Sequence, residues 1–154
     1  MPSRATRRSP RPAGETLQFM QAMWGLAHAL EVTSRRMLRV LGVTGPQRLV
    51  IRVIGQFPDI SSGDIAATMG LHPSTLTGVL ARLVGQKLVE RLPDPTDGRR
   101  VRYRLTRAGR KIDRERRGTV EAAVRRALGR AGETTVEHTV RMIGVLVAEL
   151  DREA

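Results

Sequence analysis

Between residues 74 and 83 the chain divides its side chains into two faces at the helical period. Leu76, Val79, Leu80 and Leu83 fall within about 100° of arc, and Ser74, Thr75, Thr77, Gly78, Ala81 and Arg82 occupy the other side. The second face is narrow and polar, with one long cationic arm. A major groove about 12 Å wide accepts such a surface; there hydroxyls meet base edges or phosphates and arginine reads guanine O6 and N7. An ordinary solvent face would accept Ser and Thr equally well. No acidic residue stands anywhere in residues 74–87, however, and that favours a polyanionic partner.

A second constellation follows at Asp97-Gly98-Arg99-Arg100, with two arginines at the end of a turn-rich loop. A guanidinium is favoured in the enhanced negative potential of a narrow minor groove. Asp97, two residues before Arg99, is expected to hold that side chain in a carboxylate pair and aim it. A plain surface salt bridge would contribute under about 1 kcal/mol, but the local charge is unusual. Residues 82–117 hold 13 Lys/Arg against 5 Asp/Glu, and the whole chain carries 27 against 15 for a net charge of +12. All of these cations except Lys87 and Lys111 are arginines, the side chain best suited to phosphate forks. Double-stranded DNA is thus the expected partner, ahead of an anionic membrane.

Other chemistry finds little support. His72 lies beside Ser74, but that pairing follows from helix-start chemistry, and a catalytic base also needs an orienting group and a pocket. There is no phosphate-binding glycine loop and no paired-carboxylate motif. With no cysteine and with His28, His72 and His138 far apart, no metal motif is present and no cofactor is expected. No apolar run approaches the roughly 18 residues of a membrane span. Residues 1–14 are basic and proline-rich without an apolar signal core, so a disordered arm and a cytoplasmic protein are expected.

The elements that must position these residues can be read from periodicity and caps. A long helix is expected over residues 15–40. Thr44-Gly45-Pro46-Gln47 reads as a capping box opening a second helix that buries Leu49, Val50, Val53, Ile54 and Phe57. Ser61-Ser62-Gly63-Asp64 reads as another, for a short helix ending at Gly70. His72-Pro73 then starts the helix that carries the polar face, to about Gln86. Two short helices joined by a tight glycine turn resemble a helix-turn-helix. Residues 88–92 and the alternation Val101, Tyr103, Leu105 against Arg102, Arg104 give two strands of a hairpin. Thr106 is expected to cap one long helix using Ile112, Val120, Val124, Ala127 and Leu128, broken at residues 129–132. A last helix carries Val136, Val140, Ile143, Val147 and Leu150.

The outer helices leave apolar stripes that a small subunit has little interior to cover, so they are expected to pair across a two-fold axis as a homodimer. On the first helix, Met20, Met23, Trp24 and His28 form an aromatic, deformable and partly polar patch. Such groups suit a flat aromatic ligand, although a Met/Trp stripe is more often plain core.

From about Leu17 to Leu150 the chain resembles the MarR family of winged-helix regulators. The most specific stretches are DPTDGRRVRYRLTRAG (residues 94–109), which fits the family's wing signature, and LHPSTLTGVLARL, which fits its recognition helix. The resemblance implies a mainly α fold with a small β-hairpin wing, a winged helix-turn-helix flanked by N- and C-terminal dimerisation helices. It divides the chain into an arm (1–14), a first dimerisation region (15–43), a DNA-binding domain (44–106) and C-terminal dimerisation helices (107–154). It implies major-groove or phosphate contacts by Ser74, Thr75, Thr77 and Arg82, and a minor-groove role for Arg99, beside Arg100 and positioned by Asp97. It further implies a repressor bound to a palindromic operator and released by a small aromatic or lipophilic effector, rather than an enzyme. A nonspecific architectural DNA binder is the alternative. Two departures stand out: Lys87 replaces a usual glycine, so the exit from the recognition helix is expected to differ, and Gly78 replaces a frequent arginine.

Overall fold

A computed structural model describes residues 14–153, so residues 1–13 of the expected arm lie outside the described residues. Helix α1 (Glu15–Leu41) leads into α2 (Gly45–Gln56), and a two-residue strand β1 (Ile60–Ser61) precedes α3 (Ser62–Met69) and α4 (Pro73–Gly85). The hairpin β2 (Val89–Pro93) and β3 (Val101–Leu105) is followed by α5 (Arg107–Arg114), α6 (Val120–Leu128) and α7 (Glu133–Glu153). This is a winged helix-turn-helix with helices before and after it.

Local chemistry explains most boundaries. At the start of α2 the Thr44 N–H donates to Gln47 Oε1 at 2.9 Å and the Gln47 N–H returns to Thr44 Oγ1 at 3.4 Å, the reciprocal capping box. Gly70 ends α3 at φ 61°, a left-handed turn that glycine adopts without steric cost. The start of α3 is only half a box. The Asp64 N–H donates to Ser61 Oγ at 3.1 Å, but the Asp64 carboxylate takes the Ser61 hydroxyl at 2.6 Å instead of the backbone.

Strand β1 joins the sheet on the far side of β3, pairing Ile60 with Tyr103 and Ser61 with Arg102, while β2 pairs Arg91 with Tyr103 and Val89 with Leu105. The core lies between this sheet and α2, α3 and α4. Val50, Ile51, Ile54, Ile65, Leu76, Leu80, Leu83, Val89 and Leu105 fill it.

Two expectations need correction and one short element is additional. Leu49 and Phe57 are exposed, because α2 is rotated so that Gln47, Arg48 and Ile51 face inward. The two-residue strand β1 was not foreseen; it is too short to show a period. The helix capped by Thr106 is not continuous: α5 stops at Arg114, and Gly118 (φ 69°) and the N-cap Thr119 restart the chain as α6.

That break is organised by Arg48, whose residue is 1% exposed. Its guanidinium donates to the carbonyls of Ile112, Asp113 and Glu115 and to the Glu121 carboxylate. One side chain thereby ties three carbonyls at the end of α5 to the first turn of α6.

Candidate nucleic-acid interface

Helix α4 stands on its apolar face, with Leu76, Leu80 and Leu83 buried. His72 caps it: the Ser74 N–H donates to His72 Nδ1 at 3.4 Å, and the Ser74 Oγ lies 2.8 Å from the same nitrogen. The Thr77 hydroxyl donates back to the Pro73 carbonyl at 2.9 Å. Ser74, Thr75, Thr77, Gly78 and Arg82 are all exposed, and a Cβ added to Gly78 would meet nothing within 4 Å. The expected reading face is therefore assembled and open. No carboxylate lies within ion-pair distance of Arg82 among the described residues.

The exit from α4 does not take the altered form expected from Lys87. Lys87 adopts φ 57°, the left-handed conformation that glycine would favour. The Lys87 N–H donates to the Val84 carbonyl at 2.9 Å and the Leu88 N–H to the Leu83 carbonyl at 3.0 Å, which is a Schellman ending. The neighbouring strand end holds the bend in place. Thr106 Oγ1 donates to the Lys87 carbonyl at 2.8 Å, and the Thr106 N–H donates to the Leu88 carbonyl at 3.1 Å. Gly109, the glycine of the Leu-Thr-x-x-Gly stretch, packs so close that an added Cβ would sit 2.0 Å from the Leu88 oxygen.

In the wing, Asp97 acts differently from the expectation. Its Oδ1 accepts the Arg99 backbone N–H at 3.0 Å, and its carboxylate pairs with the Arg100 side chain at 3.5 Å, not with that of Arg99. An aspartate two residues ahead suits this backbone turn better than the side-chain pair. The Arg99 side chain is left without an ion pair among the described residues.

The organising residue of the wing is Asp94, which opens the wing-signature stretch but is absent from the expected contacts. It accepts the Thr96 hydroxyl at 2.7 Å, the Thr96 N–H at 2.8 Å, the Asp97 N–H at 3.2 Å and Arg102 Nε at 2.7 Å. The Thr96 hydroxyl first, then Arg102, hold its carboxyl well below the usual carboxylate range. At the base of the wing Arg104 forks onto Asp59 at 2.7 and 2.8 Å, and that hydrogen-bonded pair lowers the Asp59 carboxyl as well. Two signals mark Asp94 in the sequence, its place at the head of the wing-signature stretch and the spacing Asp-Pro-Thr, an aspartate two residues before a hydroxyl.

Met20, Trp24 and His28 lie along α1 on a surface open to solvent, with Trp24 62% exposed, and Met23 is half-buried. Within one subunit they enclose no site. The apolar side chains of α7 are equally bare: Val140, Ile143, Val147 and Leu150 are exposed, and neither α6 nor α7 has a buried residue. Among the described residues no helix is long and apolar enough to cross a membrane.

Comparison with known proteins agrees with this geometry. The MarR family profile matches residues 41–100. An HTH-type transcriptional repressor of Mycobacterium tuberculosis (strain ATCC 25618 / H37Rv), Rv2887, is 31% identical over 93 residues, which are 60% of this chain and 67% of that protein. The crystal structure of the transcriptional regulator PA4135 is 30% identical with a TM-score of 0.59, over 90% of this chain and 98% of that one. The PcaV transcriptional regulator from Streptomyces coelicolor, solved in complex with its natural ligand, has a TM-score of 0.70 at 21% identity, over 90% of this chain and 98% of its own. At that identity the likeness to PcaV speaks for the fold.

Proposed function

The chain belongs to the MarR family, whose members are DNA-binding transcription regulators and not enzymes, and on that premise we propose that it is a homodimeric repressor of a palindromic operator. The observation that carries the reading is the pairing of an open, acid-free α4 face with an Arg99 side chain held at the wing tip without an ion-pair partner. Ser74, Thr75, Thr77 and Arg82 enter the major groove, and Arg99, with Arg100 beside it, meets the adjacent minor groove. Residues 44–106 form the reading domain. Residues 15–43 and 107–154 supply the dimer helices, whose bare apolar faces fit a C2 pairing. Dimerisation sets the spacing of two half-sites and so requires an inverted repeat.

A small aromatic or lipophilic effector fits the Met20, Trp24 and His28 patch once a second subunit faces it. The relative solved with its natural ligand, PcaV, makes a ligand at this fold reasonable. Titration of aromatic acids, read by Trp24 fluorescence and by DNA affinity together, tests this part separately. If no compound moves either signal, the effector is set aside and the operator reading stands.

Specific regulation is separated from nonspecific architectural binding by titrating a labelled promoter fragment against competitor DNA. A regulator retains the fragment at a large excess of competitor, by roughly 10³-fold or more in affinity. Equal displacement by any duplex would replace this reading with the architectural one.

A further inference from the structure

At the root of the wing, where α2 ends against β3 and α5, lies a cleft of about 320 Å³. That is the lower end of the range of small-molecule sites, roughly 300–1,000 Å³. None of the residues assigned to DNA lines it, nor does any residue of the Met20, Trp24 and His28 patch. We propose that this cleft is a separate binding site for a small organic carboxylate with a short aliphatic tail. A molecule held there touches α2, the strand that carries the wing and α5 at once. The proposal stands apart from the DNA-binding reading, and its test needs no DNA.

Three features point to that ligand. The first is the floor. Ile54 and Leu105 close the cleft at 1% and 4% exposure, and the exposed ring of Pro58 borders it. No aromatic side chain lines it, so aliphatic groups set its shape and a short hydrocarbon tail is the matching surface. The second feature is charge. Arg110 and Arg114 stand four residues apart on α5, and both line the cleft. Neither has a carboxylate within ion-pair distance among the described residues. Arg110 gives one N–H to the Leu105 carbonyl at 2.8 Å, and the Arg114 side chain makes no hydrogen bond among the described residues. Like charges at that spacing destabilise a helix, and an anion placed between them turns repulsion into attraction. The third feature is that every other charge at the cleft is already satisfied. Arg104 forks onto Asp59. The Asp113 carboxylate takes Arg52 on Oδ1 at 2.7 Å and packs with Oδ2 against Gly55, where an added Cβ would lie 2.8 Å away. What remains is two cations beside an apolar floor, with no anion of the chain to meet them.

Amide and arginine Nε–H spectra of the full-length protein test the site, with hexanoate as the probe and hexanamide as its uncharged counterpart. Expected are saturable shifts at Gly55, Arg110 and Arg114 with hexanoate and none with hexanamide. A dissociation constant of about millimolar order suits a ligand of so few atoms. Arg114→Gln should weaken that binding about tenfold, because it removes a charged hydrogen bond. Arg114 is exposed and has no partner among the described residues to lose, so the fold is not at risk. Arg107→Gln removes the same charge from the same helix, outside the cleft, and should leave the affinity unchanged. No saturable shift at Gly55 and Arg114 would overturn the site. Equal weakening by Arg107→Gln would overturn it too, leaving only diffuse attraction to a basic helix. Shifts confined to residues around Trp24 would give the carboxylate to the α1 patch instead. Saturation of the same signals by inorganic phosphate at equal or lower concentration would overturn the assignment to a ligand with an apolar tail.

Discussion

The Arg48 guanidinium lies 2.6 Å from the Glu121 carboxylate, joining helix α2 to helix α6 beyond the break. Truncating Arg48 takes the cation from the Glu121 carboxylate and the donor from the Glu115 carbonyl, while the Ile112 carbonyl keeps the Glu115 N–H and the Asp113 carbonyl keeps Arg116. Arg48→Ala should therefore cost about 3–5 kcal/mol in urea unfolding. Glu121 is partly open to solvent and its loss leaves Arg48 its carbonyl partners, so Glu121→Gln should cost less, about 1–3 kcal/mol. A loss below about 1 kcal/mol for Arg48→Ala would show that the break is held by something else.

Lys87 is strained and its neighbours keep it so. Replacing it with glycine removes the left-handed penalty without touching the Thr106 contacts, and Lys87→Gly should stabilise the fold by about 0.5–1 kcal/mol. Thermal unfolding reads this directly. A lower melting temperature would mean that the lysine side chain itself contributes packing at the α4 exit.

Asp94 gives the wing a pH dependence of known sign. Its folded carboxyl lies below the unfolded value of about 3.9, chiefly through the Thr96 hydroxyl and then Arg102. The resulting stability is present above the unfolded value and is lost as pH falls from there through the folded value. Asp94→Asn should flatten the acid limb of the stability curve and weaken DNA binding at neutral pH by loosening the tip. An acid limb identical to wild type would remove Asp94 as the organiser.

The bare faces of α1 and α7 set the expected oligomer. Sedimentation at micromolar concentration should give twice the subunit mass of 17.0 kDa. A well-folded monomer under those conditions would sink the two-fold arrangement and, with it, the inverted repeat.

Much of the fold was legible because its signals are local. The Thr44, His72 and Thr106 caps, the Gly70 turn and the alternation from Val101 to Leu105 each declare themselves within a few residues. The outward face of α4 was legible for the same reason. What was hidden depends on distant partners. Arg48 reads as an interruption in an apolar helix, because the carbonyls that satisfy it lie more than sixty residues away. Without that contact the inward rotation of α2, which exposes Leu49 and Phe57, has no visible cause. The break after α5 did carry a local signal, Gly118 followed by the capping Thr119, but the apolar positions on either side kept a helical spacing that masked it. Asp97 accepts the Arg99 backbone N–H and pairs with Arg100 instead of the Arg99 side chain, because spacing alone does not separate a backbone acceptor from a side-chain pair.

The most direct test selects bound fragments from a random duplex library and measures Arg82→Ala, Arg99→Ala and Asp97→Ala on the selected site at two salt concentrations. Selection should return an inverted repeat. Arg82→Ala should lose about 1–3 kcal/mol of discrimination at one base position if it reads a base edge. Arg99→Ala should weaken binding most where the flank is rich in A·T pairs. Asp97→Ala should resemble a milder Arg99→Ala, although long-range electrostatics alone would have it bind more tightly. Tighter binding by Asp97→Ala, unchanged binding by Arg99→Ala, or no enriched sequence at all would contradict a wing and recognition helix working as described.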